Sequence, residues 1–296
     1  MVNIEISPVC GLCYGSNRAI TETFNTIKKE KNVVLFKEIL HNKTVKKHLE
    51  ENGALTKENL EDITKDDFVI IRAHGEPKDT YKYFEDNNIK YLDCTCPNVL
   101  AINKLVEKKQ SEGFKIILIG KHGFDAKPIH PEVRGTSGWC KNPILIEDES
   151  EIENIDLGFD KYFLAVQTTF SKDKASLFIE KIKNKLEKEN KVFEFKNTIC
   201  NAQKNINDAS VVLAKKCDIM FVIGGKNSSN TKELFLNISN YTKTYKIEDP
   251  NEVFDINKEE LSFAKTIGIT AGASTMQEDI LKTKDNLNKI LNLKND

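Results

Sequence analysis

The chain alternates short apolar runs with longer stretches in which apolar residues recur every three to four positions. Runs at 34–36, 68–71, 91–92, 116–119, 144–146, 162–166, 192–195, 219–223 and 266–269 predict β-strands. Most are continuous and rich in β-branched residues, the pattern of parallel strands covered on both faces. Amphipathic segments at 16–30, 44–52, 98–112, 171–189, 202–216, 230–240 and 275–292 predict helices between them. This order is that of an α/β protein without a low-complexity linker.

A weak internal repeat is superimposed on that alternation. IEISPVCGLC leads into SNRAITETFNTIKK, IKYLDCTCP into NVLAINKLVEKKQ, and VFEFKNTIC into NAQKNINDASVVLAKK. Each is strand, cysteine, helix, with Cys13, Cys96 and Cys200 at the junctions. Their spacing fits one small α/β unit each, so three domains are expected, over 1–96, 97–196 and 197–296. A helix N-terminus offers unsatisfied N–H groups and a partial positive charge. That favours the thiolate that binds metal and suits anionic groups such as diphosphate.

Composition narrows the partners. The 296 residues are 39% hydrophobic and 30% charged with a formal net charge of −1, so a soluble fold is expected, and no basic excess points to nucleic acid or an anionic membrane. MVNIEISPVC lacks the basic segment and apolar core of a signal peptide, and no apolar run suits a bilayer span. A cytoplasmic location is therefore expected. In that reducing compartment, seven cysteines point to metal binding or catalysis rather than disulfides. Cys140 and Cys217 are read as small buried hydrophobes.

Polar residues gather where strands end. His41 and Asn42 follow the run at 34–36, and His74 and Gly75 follow 68–71. His130, Pro131 and Glu132 lie beyond 116–119, and Thr168 and Thr169 follow 162–166. Ser228, Ser229 and Asn230 follow 219–223, and Ser274 follows 266–269. Singly, such groups are usually structural hydrogen-bonders or helix caps. As a set, histidines and hydroxyls at strand ends suit a diphosphate, and Glu132 is placed to give a proton. No G-x-G-x-x-G follows a strand and no Walker A motif is present, so bound NAD, flavin or ATP is not expected. Electrons for a redox reaction must then come from an outside carrier.

With these residues assembled, the sequence resembles the 4-hydroxy-3-methylbut-2-enyl diphosphate reductase family across nearly its whole length. The resemblance rests on CxGxxRAI (13–20), LHN with His41, AHG (73–75), TCP (95–97), HPEVxGT (130–136), QTT (167–169), IC (199–200), KNSSN (226–230) and TAGAS (270–274). It implies three α/β domains in a pseudo-threefold arrangement around one 4Fe–4S cluster. Cys13, Cys96 and Cys200 would each hold an iron, leaving the fourth open to the substrate hydroxyl. The diphosphate would be bound by His41, His74, His130, Ser228, Asn230 and Ser274, with Ser229 beside them. Thr168 would place the hydroxyl and relay protons, and Glu132 would deliver the proton that lets it leave as water. Ferredoxin or flavodoxin would donate electrons, and isopentenyl and dimethylallyl diphosphate would be the products.

Three departures leave alternatives open. Cys10 and Cys94 add C-x2-C and C-x-C pairs, which also suit a four-cysteine zinc site, and Cys94 competes with Cys96 as a ligand. The stretch GKHGFDAKPIHPEV is long, so His122 competes with His130, though HPEV favours His130. After Cys200, Gln203 and Ile206 stand where the family has threonine and arginine.

Overall fold

The computed structural model describes residues 2–40, 43–226 and 228–292. Among them are twelve strands: β1 (Asn3–Ile6), β2 (Val33–Phe36), β3 (Leu55–Lys57), β4 (Phe68–Ile71), β5 (Lys90–Asp93), β6 (Lys115–Ile119), β7 (Ile144–Ile146), β8 (Lys161–Val166), β9 (Val192–Phe195), β10 (Ile219–Ile223), β11 (Lys243–Ile247) and β12 (Thr266–Ala271). Ten α-helices accompany them: α1 (Tyr14–Ile27), α2 (Lys43–Glu51), α3 (Lys78–Asp86), α4 (Pro97–Ser111), α5 (Pro131–Ser137), α6 (Lys172–Lys188), α7 (Ala202–Ala214), α8 (Ser229–Ser239), α9 (Lys258–Phe263) and α10 (Gln277–Leu291).

The chain forms two compact units. One takes Met1–Thr21, Leu40–Asn52 and Asn201–Asp296, the other Glu22–Ile39 and Gly53–Cys200. The first unit holds one four-stranded sheet of order β1-β12-β10-β11, and the second holds two, β3-β2-β4-β5 and β7-β6-β8-β9. Every pairing is parallel. The sheets share one plan: two inner strands are flanked by the strand that follows the first of them on one edge and by a fourth strand on the other. In the first unit that fourth strand is β1, which pairs with β12 from Asn3 opposite Thr266 to Ile6 opposite Ile269. Residues 3–6, inside the expected 1–96 segment, thus complete the sheet of the C-terminal segment.

Strand pleating explains how each sheet is covered. Successive side chains point to opposite faces, and parallel strands require crossover helices. In β10, Phe221 and Ile223 join Ile269 and α10 residues Ile280 and Leu287. Its alternate residues Met220 and Val222 face Ile206, Leu213, Leu234 and Ile238 of α7 and α8. The second unit repeats the device. Ile117 and Ile119 pack with Leu164, Val166 and α6 residues Phe178 and Ile182. Ile116 and Leu118 pack with Phe163, Ala165 and α4 residues Ile102 and Val106.

The nine predicted strands are all present, as are the seven predicted helices. The α/β reading holds. Elements without an advance signal are short or polar. β3 (LTK) and β11 (KTYKI) are edge strands with too few apolar residues to form a run. α3 (KDTYKYFED) buries only Thr80 and Phe84, and α5 has seven residues.

Core and edge should therefore respond very differently. Ile117→Ala, at a fully buried position in an inner strand, should cost about 2–5 kcal/mol. Leu55→Ala, on an edge strand and 60% exposed, should change stability by less than about 0.5 kcal/mol. Equilibrium denaturation of the two variants checks this.

Candidate active site

Because all strands in a sheet run the same way, their C-terminal ends share one rim, the usual ligand crevice of open α/β sheets. Cys13 follows β1, Cys96 follows β5 and Cys200 follows β9, so each comes after the fourth strand of its sheet. Each has its backbone amide tied down. Cys13 N–H donates to Ala273 O at 3.3 Å, Cys96 N–H to Ala73 O at 2.9 Å and Cys200 N–H to Thr168 O at 2.8 Å. Those carbonyls belong to TAGAS, AHG and QTT, the polar strand ends singled out in the sequence.

All three side chains are half-buried. The Cys13 thiol lies 3.4 Å from Ser16 Oγ. Cys96 caps α4, with Pro97 as the first helical residue, where a missing N–H costs nothing. Asn98, in the same turn, donates its amide to the Cys200 sulfur at 3.5 Å, which brings Cys96 and Cys200 to one end of one helix. Nothing in the sequence marked Asn98.

The other cysteines sit differently. Cys10 donates to Ser7 O at 3.2 Å and packs against the first unit's core, and burial pushes its thiol up to about 11. Cys94 is completely buried. Cys140 and Cys217 pack in apolar clusters, and burial raises each to about 11.

In the second unit, Glu132 and Thr168 form one tight pair. Thr168 N–H donates to Glu132 Oε1 at 2.6 Å, and its hydroxyl donates to Oε2 at 2.7 Å. Glu132 is 2% exposed. Beside its carboxylate, Ile102, Leu118, Val133, Thr136, Val166 and Gln167 line a void with no room for a water molecule. Desolvation penalises the charged form and raises Glu132 to about 7, although both Thr168 bonds pull the other way.

Two histidines stand beside this pair. His130 caps α5, its Nδ1 accepting from Glu132 N–H at 3.2 Å. Its ring meets the His74 ring edge to face, centroids 5.4 Å apart. His122 instead bonds Glu151 at 2.7 Å. Of the two competing histidines, His130 is therefore the one beside His74 and Glu132. The approach of α5 to the His74 turn depends on glycine at two places. Gly75 has φ +72°, where side chains are strained, and a Cβ there would meet Thr95 Cγ2 at 2.9 Å. A Cβ on Gly135 would lie 3.1 Å from Gly75 O.

In the first unit, Ser228 caps α8, accepting from Thr231 N–H at 3.2 Å. Asn230 and Ser274 are half-buried. The Ser229 side chain, His41 and Asn42 lie outside the described residues.

A doubly wound α/β chain with polar groups and cysteines along its strand ends defines a class of enzyme sites, and comparison with known proteins specifies the family. Residues 4–288 match the model of the LytB protein family. The 4-hydroxy-3-methylbut-2-enyl diphosphate reductase of Clostridioides difficile (strain 630) is 36% identical, covering 97% of this chain and all of the relative. That of Caldanaerobacter subterraneus subsp. tengcongensis is 38% identical, covering 93% and 92%. The solved structure of (E)-4-hydroxy-3-methyl-but-2-enyl diphosphate reductase, the terminal enzyme of the non-mevalonate pathway, superimposes with TM-score 0.80 at 30% identity over 98% of this chain and 100% of that one. The Plasmodium falciparum E-1-hydroxy-2-methyl-but-2-enyl-4-diphosphate reductase gives 0.78 at 27% identity, over 97% and 88%. The chain belongs to the LytB family, a family of iron–sulfur reductases.

The raised Glu132 makes stability depend on pH. Between the ordinary carboxyl value of 4.5 and about 7, the native state keeps a proton that the unfolded chain has lost. Stability should therefore fall as pH rises through that window, by roughly 3 kcal/mol in all, and level off above it. Glu132→Gln should lose this part of the slope, which urea denaturation from pH 4.5 to 8 would measure.

Proposed function

We propose that the chain binds its substrate at these strand ends and that Glu132 is the proton donor. The reaction is reductive dehydroxylation of (E)-4-hydroxy-3-methylbut-2-enyl diphosphate to isopentenyl and dimethylallyl diphosphate, the terminal step of the non-mevalonate pathway. The observation that carries the assignment of roles is the Thr168 hub: its N–H and hydroxyl hold Glu132 while its carbonyl holds Cys200 N–H.

Thiolates are the usual ligands of iron–sulfur clusters, and three cysteines at corresponding places in the fold support that reading. Cys13, Cys96 and Cys200 are half-buried, on fixed backbone, at strand-to-helix junctions. Cys10 and Cys94 are turned to core packing, which disfavours the four-cysteine zinc reading. Such a cluster would supply electrons singly, received from ferredoxin or flavodoxin, and a Lewis-acidic iron left open by the protein.

The remaining work falls to side chains. His74 and His130, with His41, Ser228, Ser229, Asn230 and Ser274, grip the diphosphate as hydrogen-bond donors. Glu132, poised near neutrality, holds a proton at its carboxyl oxygen and passes it to the departing hydroxyl, directly or through Thr168 Oγ1. The hydroxyl leaves as water, and a second proton ends on the allylic carbon.

Anaerobic purification and turnover with a low-potential donor test the reading. Glu132→Gln should lower kcat by about a hundredfold or more with cluster content unchanged. Cys200→Ala should lose iron, sulfide and brown colour together. Zinc in place of iron, or full activity in Glu132→Gln, would refute the corresponding assignment.

A further inference from the structure

Glu76, one residue past the AHG turn, is a second buried carboxylate in the second unit, 1% exposed. Three cations converge on it. Arg72 Nη2 lies 2.8 Å from Oε1, Arg134 Nη2 donates to Oε2 at 2.9 Å, and Lys37 Nζ lies 3.5 Å from Oε2. Each comes from a different part of the histidine-bearing region. Arg72 directly follows β4, and Gly75 N–H returns to its carbonyl at 3.0 Å, so the Arg72–Glu76 pair spans the turn that carries His74. Arg134 lies on α5, one helical turn after His130 and two residues after Glu132. Lys37 follows β2, in the left-handed region at φ +66°. Trp139, just beyond α5, donates its indole N–H to Glu76 O at 3.1 Å.

Burial of Glu76 and Arg72 makes the pair a poor source of stability, since desolvating both charges offsets much of their attraction. What it does supply is fixed geometry. One guanidinium nitrogen from each of two elements, one to each carboxylate oxygen, defines where α5 sits against the 72–76 turn. Gly135 permits that contact, and the ring edge of His130 meets His74 there.

We infer that Glu76, clamped by Arg72 and Arg134, is a positioning residue that sets the spacing of His74 and His130 for the substrate diphosphate. The inference rests on the proposed role of those histidines. A misplacement of about 1 Å in groups that orient a substrate is costly. Losing the clamp should therefore weaken binding more than it slows the chemical step, because Glu132 and Thr168 keep their own bonds.

The test uses the reconstituted holoenzyme. Arg134→Met cuts the link between turn and helix while leaving Glu76 paired with Arg72. Arg134→Lys restores the charge, and Glu76→Gln removes the anion. Arg134→Met should raise KM for the hydroxylated diphosphate about tenfold, with kcat within about twofold and the thermal midpoint nearly unchanged. Arg134→Lys should recover part of the loss, and Glu76→Gln should raise KM at least as much. His74→Ala is the control. If it raises KM and Arg134→Met does not, the clamp inference alone is overturned. If His74→Ala leaves KM unchanged, the diphosphate role of the histidines fails and the inference with it.

Discussion

Three polar atoms of Thr168 bind the second unit's chemistry together. Its amide and hydroxyl face the two oxygens of Glu132, and its carbonyl receives the amide of Cys200. A backbone amide cannot rotate away, so the carboxyl plane is fixed by β8 rather than by a flexible side chain. The hydroxyl can reorient. It has one donor and two acceptor positions, so it donates when Glu132 is ionised and accepts when Glu132 carries the proton. In the second state its own hydrogen is free to point elsewhere, which is what a relay requires. Burial completes the arrangement by raising the acid to about 7 despite two bonds that favour the anion.

The shared sheet plan gives this local device its place. In each sheet the inner strands end in hydroxyl, histidine or glycine-rich motifs, and the fourth strand ends in a cysteine. Carbonyls just past inner strands then hold the cysteine amides: Ala73 past β4 holds Cys96, Thr168 past β8 holds Cys200, and Ala273 past β12 holds Cys13. One hydrogen-bonding rule thus recurs three times. The strand supplying the fourth place in the third sheet is the first strand of the chain, so the N-terminal cysteine belongs with the C-terminal segment.

Much of this was legible in the sequence because its physical signals are strong. Fully buried parallel strands read as continuous apolar runs, and seven helices showed a clear stripe. The cysteine junctions were visible as a repeat, and the polar strand ends as a set. Other features had no such signal. Edge strands β3 and β11 and helix α3 bury too little to form a pattern. The pairing of β1 with β12 joins segments at opposite ends of the chain, and no local periodicity reports that. HPEV favours His130 over His122 in the sequence, but that His130 faces His74 while His122 meets Glu151 is a tertiary fact that no local signal reports. Asn98, Arg72 and Arg134 look like ordinary surface polar residues until the fold assigns them partners.

Two nearly inaccessible carboxylates flank the same histidine pair, and their surroundings differ in kind. Glu132 is held by Thr168, and Thr136, Gln167 and apolar side chains line the space beside it. Glu76 meets two guanidiniums and an ammonium. A carboxyl kept from water without a cation gains by holding its proton, which makes it useful in proton transfer. One surrounded by cations serves instead as a fixed anchor. Residue type is identical in the two cases, and burial nearly so; the neighbours alone separate the carboxyl proposed to give a proton from the one inferred to hold a turn.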